Sequence, residues 1–381
     1  MRANKTMKLA VIGRGLIGSA AARHLSIMGH DVALIGPDEP IDFSRHDGVF
    51  GSHYDEGRIT RRFDPEPFWL QMNCAAISRY GEISAESGVE FYREVGVLHV
   101  GSAENPNVAS VGKITSEAGI DCEEYDDAGL AERFPFLKST AGMLGYFEPG
   151  NAGYISPRRL VRAQTIAAER AGARIINEPA QGISESGSGV TIRTRSGSVE
   201  AERVLVAAGG HTQSLLGQSL GFTVFRRTAA LFRLGAAEVQ RLAGMPSMRC
   251  IGPKGDNPYI LPPIPYPDGQ TWLKLGGDPV DIPLESEADI KGWFKSGGSI
   301  DVADRLQKQI LDRIRDLNFE ERRVVPCMTT FGDTRLPCVG PLSDRVSVAF
   351  GCYGKSAKCS DELGRLGGMA LLGEVKAELA P

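Results

Sequence analysis

Apolar residues fill Lys8 to Ile12, recur at helical spacing from Leu16 to Met28, and run together again from Asp31 to Ile35 before Gly36-Pro37. A buried strand, a helix and a second strand produce that pattern, and such an opening favours a parallel sheet. Phe43 to Arg62 loses the periodicity and is polar and Gly-rich, which predicts an extended loop. Helical spacing returns near Trp69 to Glu86. Ser156-Pro157 has the N-cap and first-turn residue types of a helix start, so a helix is predicted to about Gly172. Ala173 to Asn177 and Val204 to Ala208 read as strands. Val190 to Thr194 alternates like a surface strand, with Ser196-Gly197-Ser198 as its turn. From 222 to 283 the chain is strand-like and Pro-rich, as in an antiparallel sheet. Asp301 to Leu317 predicts an amphipathic helix, Val346 to Gly351 a strand, and Asp361 to Leu379 a closing helix.

A length of 381 residues suggests two or three domains, and 42% hydrophobic with 24% charged residues supports ordinary folded cores. The net charge of −4 gives no pull towards nucleic acid or anionic membrane. No run of about 18 apolar residues offers a membrane span. The start, Met1-Arg2-Ala3-Asn4-Lys5-Thr6, is basic and precedes small and apolar residues, but Gly13, Arg14, Gly15, Arg23 and His24 interrupt any signal-peptide pattern. The expectation is therefore a strand, turn and helix of the mature fold, in a cytoplasmic protein. The seven cysteines lack CxxC spacing and the six histidines are scattered, so no metal site is expected.

Gly13-Arg14-Gly15-Leu16-Ile17-Gly18 matches GxGxxG between a strand and a helix. The first glycine makes the tight turn, the second admits a pyrophosphate to the backbone, and the third lets helix and strand pack. The helix N-terminus then faces the phosphates. An acid that would hold a ribose is expected at the end of the second strand, but Gly36 stands there. Asp38 and Glu39 are the nearest acids, so either Asp38 reaches back or this clamp is missing. The motif alone does not separate NAD from FAD.

Further segments resemble the monomeric sarcosine oxidase and N-methyltryptophan oxidase family, within the D-amino-acid-oxidase-like flavoproteins. They are Gly51-Ser52-His53-Tyr54-Asp55-Glu56-Gly57-Arg58-Ile59-Thr60-Arg61, Val204 to Leu216, Trp272-Leu273-Lys274-Leu275-Gly276, Cys327-Met328-Thr329-Thr330, and Gly351-Cys352-Tyr353-Gly354-Lys355-Ser356-Ala357-Lys358. The resemblance implies FAD, attached covalently through Cys327, and contacts to it from Ser52, His53, Arg58, Ala208, Gly209, Gly354, Lys355, Ser356 and Lys358. It implies that Lys274 activates oxygen, that Arg58 and Tyr54 lie near the reacting ring, and that Arg61 and Lys358 grip a substrate carboxylate beside Tyr259. The bland alternatives are a buried apolar cysteine at 327, a solvated strand lysine at 274, a surface arginine at 61 and a core tyrosine at 259.

Two departures bear on substrate. Tyr54 stands where the family commonly has histidine, and Gly354-Lys355-Ser356-Ala357 where it has Gly-His-Gly-Phe. A cation at Lys355 beside Lys358 would suit a substrate with a second carboxylate; Lys355 could equally contact the flavin or solvent. The fold implied is α/β, more fully α+β in two domains. Residues 1–85, 146–217 and 318–381 would form a discontinuous Rossmann-type FAD domain, and 86–145 and 218–317 an antiparallel-sheet substrate domain. The implied activity is oxidation of a small amine or amino acid to an imine, with O2 reduced to H2O2, in a monomer or small homo-oligomer. A flavin dehydrogenase using another acceptor, a nicotinamide reductase, and a flavin-binding protein without turnover remain as alternatives.

Overall fold

A computed structural model describes residues 8–252, 257–351, 353–374, 376 and 379–381. The opening elements fall where the pattern predicts them, as Lys8–Ile12, Leu16–Ile27 and Asp31–Ile35. Lys8–Ile12 lies inside a six-stranded sheet, parallel to Asp31–Ile35 on one side and Arg203–Val206 on the other. Arg174–Ile176 and Val346–Phe350 extend the sheet in parallel, and antiparallel Cys338–Pro341 closes one edge. The chain leaves Lys8–Ile12 towards one neighbour and returns much later to the other. Winding therefore reverses at this strand, and a crevice opens beyond its carboxyl end. Alternation sends Leu9 and Val11 into a core with Leu25 and Leu363, and Ala10 and Ile12 into one with Phe50 and Met328. The closing helix Ser356–Leu371 packs on Leu16–Ile27 so closely that a Cβ on Gly364 would lie 2.5 Å from Ala20 Cβ.

The second sheet has eight strands in the order Glu321–Gly332, Phe222–Arg233, Thr271–Gly276, Tyr259–Pro265, Ser247–Ile251, Val97–Ser102, Met143–Glu148 and Glu123–Tyr125. It is antiparallel as expected, except that Ser247–Ile251 runs parallel to Val97–Ser102. Glu321–Gly332, which the expected boundaries give to the FAD domain, is paired along its length with Phe222–Arg233 of this sheet. Cys327 thus reaches the crevice from the second sheet.

Other differences have local causes. The helical stretch near 69–86 is two helices, Pro67–Ile77 and Tyr80–Ser87. Arg58–Thr60 forms a short strand within the predicted loop. The closing helix starts at Ser356 and ends at Leu371, and its buried Asp361 and Glu362 obscure the apolar stripe. Arg79 pairs with both at 2.6 and 2.5 Å, and Gln164 donates to Asp361 at 2.8 Å, so these acids are core groups here. Residues 1–7, Cys352, and positions 375, 377 and 378 of the expected closing helix lie outside the described residues. Among the described residues no helix is long and apolar enough to cross a membrane, and no group of His, Cys, Asp and Glu could hold a metal.

Candidate active site

A cavity of about 480 Å³ opens at the carboxyl end of Lys8–Ile12, lined by Gly13, Gly15, Leu16 and Ile17. Gly13 has φ +106°, and a Cβ there would sit 2.3 Å from the Ala207 carbonyl oxygen. A Cβ on Gly18 would sit 1.9 Å from the Gly13 carbonyl oxygen, whereas one on Gly15 would meet only His53 Nδ1, at 3.8 Å. Two glycines therefore let the turn close, and the second glycine leaves open space above the helix N-terminus. That helix has no side-chain cap and no acid in its first turn, so its amide groups remain available to an anion. The cradle fits a dinucleotide pyrophosphate on geometry alone.

The ribose question resolves sterically. A Cβ on Gly36 would fall 2.5 Å from the Arg14 backbone nitrogen, so any acid there would collide with the turn. Asp38 does not line the cavity: its carboxylate is taken by Arg14 and Asn177, and its N–H donates to Asn177 Oδ1 at 2.7 Å. Glu39 is held by Arg158 at 2.6 Å.

Ser52, His53, Tyr54, Arg58, Ala208, Gly209, Cys327, Gly354 and Ser356 all line the cavity. Burial, then the Arg158, Arg14 and Arg58 charges, push His53 down to about 3, so it stays neutral. Burial pushes the Tyr54 hydroxyl up to about 12. Arg58 donates to Cys327 Sγ and to the Ser52 carbonyl, both at 3.2 Å, and forms an ion pair with Asp55. Asp55 also pairs with Lys274 and accepts from Tyr266 at 2.8 Å. Burial would raise the Asp55 carboxyl, but Lys274 and Arg58 outweigh it and hold it well below the usual carboxylate range. Lys274 itself is 1% exposed and donates to the Gly57 carbonyl at 2.8 Å, which removes the solvated-lysine alternative. Its ammonium lies 5.6 Å from the Tyr259 ring centre.

Arg61 and Lys358 are also buried, but their charge is poorly balanced. Arg61 reaches Asp64 only at 3.8 Å, and its Nε has no partner among the described residues. Lys358 donates to the Lys355 carbonyl at 3.0 Å; burial, then the Arg61 cation, lower its ammonium to about 8. Lys355 is not free for a ligand, because it pairs with Asp64 at 2.8 Å and Glu66 at 3.3 Å. Neither Arg61, Lys274, Tyr259, Lys355 nor Lys358 lines the large cavity; Arg58 and Asp55 connect it to Lys274.

Sequence reasoning missed several groups. Asp55 sits in the quoted loop, yet nothing local announces its partner 219 residues away. His211 also lines the cavity, bonded to Glu287 at 2.7 Å and to the Phe50 carbonyl at 2.8 Å. Arg249 and His99 were not singled out; both stand near Arg61, whose charge lowers each of them after burial has done so.

A family model described as FAD dependent oxidoreductase matches residues 8–367. The chain is 26% identical over 365 residues to the peroxisomal sarcosine oxidase of Mus musculus, covering 93% of this chain and 90% of that protein. It is 25% identical over 210 residues to the N-methyl-L-tryptophan oxidase of Citrobacter koseri, and that match spans 55% of each, about half the relative's length. In fold it is similar to an amino acid oxidase essential for nikkomycin biosynthesis (TM-score 0.78, 18% identity, 99% of this chain and 98% of that one). It is likewise similar to glycine oxidase from Bacillus cereus (TM-score 0.70, 15% identity, 97% and 98%). With the cradle, the reversal point of the sheet and nearly the whole chain matched, this protein belongs to the FAD-dependent oxidoreductase family.

Proposed function

We propose that the protein is an amine oxidase whose substrate is a secondary (N-methyl) or primary amine bearing a carboxylate. One observation carries the reading: Arg61 and Lys358 are buried cations short of counter-charge, and Arg61 follows by three residues the Arg58 that lines the cofactor cavity. Bound in that cavity, FAD supplies the two-electron acceptor. Gly13 to Gly18 would hold its pyrophosphate, and Ser52 to Arg58 with Gly354 to Ser356 its ring end. Cys327, which lines the cavity, would be the thiol for covalent attachment.

Arg61 and Lys358 hold the substrate carboxylate, so the carbon next to nitrogen is presented in one orientation. Tyr259 and Tyr54 supply aromatic walls that exclude water. The substrate loses two electrons and two protons, forming a C=N bond, and water then adds to release a carbonyl product and an amine. Both electrons end on O2, giving H2O2, and the Lys274 ammonium stabilises negative charge as it develops on oxygen.

A second reading has its own support. Asp55 compensates the Lys274 charge, which weakens its pull on reduced oxygen and suits a dehydrogenase that uses another acceptor. The test begins with absorbance of the purified protein before and after acid precipitation. Colour retained in the precipitate, and lost in Cys327→Ala, supports covalent FAD. Carboxylated amines are then screened for anaerobic bleaching and for peroxide. Bleaching with slow peroxide release selects the dehydrogenase; no bleaching by any amine overturns both readings.

A further inference from the structure

Arg249 stands on the strand Ser247–Ile251, in register with His99 on one neighbouring strand and with Tyr259 on the other. Residues opposite each other in adjacent strands share a face, so these side chains form one row across the second sheet. The row continues through Gly276, where a Cβ would lie 2.3 Å from the Tyr259 ring. Tyr259 is in turn the ring beside Lys274. Arg249 thus shares a face with the residues that approach the flavin side of the molecule.

Among the described residues no hydrogen bond or ion pair holds Arg249, and its electrostatic neighbours are Arg61 and Asp64. Neither ring nitrogen of His99, which is 0% exposed, has a partner among the described residues. Burial, then Arg61 and Arg249, keep that imidazole neutral, so it adds no charge of either sign. Glu148 also favours the Arg61 cation from a distance, but its direct contact is with Arg62, at 3.2 Å. Lys355, Arg61, Arg62, Lys358 and Arg249 therefore share Asp64, Glu66 and Glu148, so the cations outnumber the carboxylates by two, apart from the exposed Arg335 that also contacts Glu66. One carboxylate on Arg61 and Lys358 would leave half of that excess uncompensated. Cations without partners are costly where they are buried, as Arg61 and Lys358 are with the half-buried Arg249 beside them, and a ligand of matching charge removes the cost.

We propose that Arg249 binds a second carboxylate of the substrate, so that the amine oxidised is a dicarboxylate. This rests on the amine-oxidase reading and names its substrate class. It also reassigns the second carboxylate from Lys355, which Asp64 and Glu66 occupy, to Arg249.

The test compares N-methylaspartate, N-methylglutamate and iminodiacetate with sarcosine and N-methylalanine on the holoenzyme, by anaerobic flavin bleaching. The expected result is a kcat/KM for the best dicarboxylate at least ~100-fold above that of either monocarboxylate. Arg249→Met should collapse that ratio by ~100-fold, and Arg249→Lys should restore part of it. Equal or better use of the monocarboxylates by the unaltered protein overturns the proposal, as does an Arg249→Met ratio like that of the parent. Binding separates this from failure of the reading it rests on. Succinate and acetate are titrated into the holoenzyme by calorimetry. Succinate binding that is tighter than acetate binding and is lost in Arg249→Met supports the site even where no amine bleaches the flavin. Equal affinity for the two overturns it.

Discussion

Lys274 and Lys358 are both buried, at 1% and 5% exposure, and both stand beside an arginine, yet their surroundings are balanced in opposite ways. Lys274 faces Asp55, which also holds Arg58 and accepts from Tyr266, so each cation on the flavin side has a carboxylate in direct contact. Lys358 faces Arg61 and must share Asp64 with it and with Lys355. The first region is preorganised before any ligand arrives. The second carries surplus positive charge that an anionic ligand would complete. On the proposed function, the contrast would separate a group that acts on the reaction from groups that select the substrate.

The largest effect should come from Lys274→Met. Reoxidation of the reduced flavin by O2, followed by stopped flow, should slow by ~10²–10³-fold, with a smaller change in anaerobic reduction by substrate. A change confined to reduction would move Lys274 to the substrate side. Stability should then divide the regions by sign. Asp55→Asn strands the Lys274 ammonium in the interior and should cost about 3–5 kcal/mol in denaturant unfolding. Lys358→Met removes an under-compensated cation and should leave stability unchanged or raise it by about 1–2 kcal/mol. The same Lys358→Met should lower kcat/KM for a carboxylated amine by ~100-fold. Losses of stability of similar size in both variants would mean that the two lysines are equally well balanced.

How much of this was legible depends on the distance over which each feature is encoded. The cradle is local: Gly13, Gly15 and Gly18 specify a turn, an opening and a close contact within one strand–helix junction. Arg58, Arg61, Lys274, Cys327 and Lys358 were legible only through resemblance. Alternation in Trp272 to Gly276 could not say which face was dry, and both are, since Leu273 and Leu275 are as buried as Lys274. The sequence left Lys355 open between substrate, flavin and solvent, because Lys358 is its nearby cation in the chain while the fold gives it Asp64 and Glu66 as neighbours in space. Arg249 and His99 come together through a parallel strand pairing between distant segments, and no spacing within either segment records that register.

The smallest expected effect is the most diagnostic of the underbalanced region. The Lys358 ammonium is lowered from its ordinary value to about 8, by burial first and Arg61 second. In the unfolded chain it would titrate near 10.4. Between about pH 8 and 10.4 the unfolded state therefore holds a proton that the folded state has lost, and stability contributed by this site rises with pH across that window. Below about 8 both states are charged, and the burial penalty is constant. Ligand binding should run the other way, because a carboxylate needs the charged form. The affinity of acetate, which has no amine of its own to titrate, should fall as pH passes through about 8, and Lys358→Met should abolish that step while weakening binding throughout. Asp55 is depressed below the usual carboxylate range, so its stabilising charge is present above that range and is lost only as pH falls through it into strong acid. An acetate titration that stays flat from pH 7 to 10 would mean that Lys358 keeps its proton as firmly as a paired lysine does.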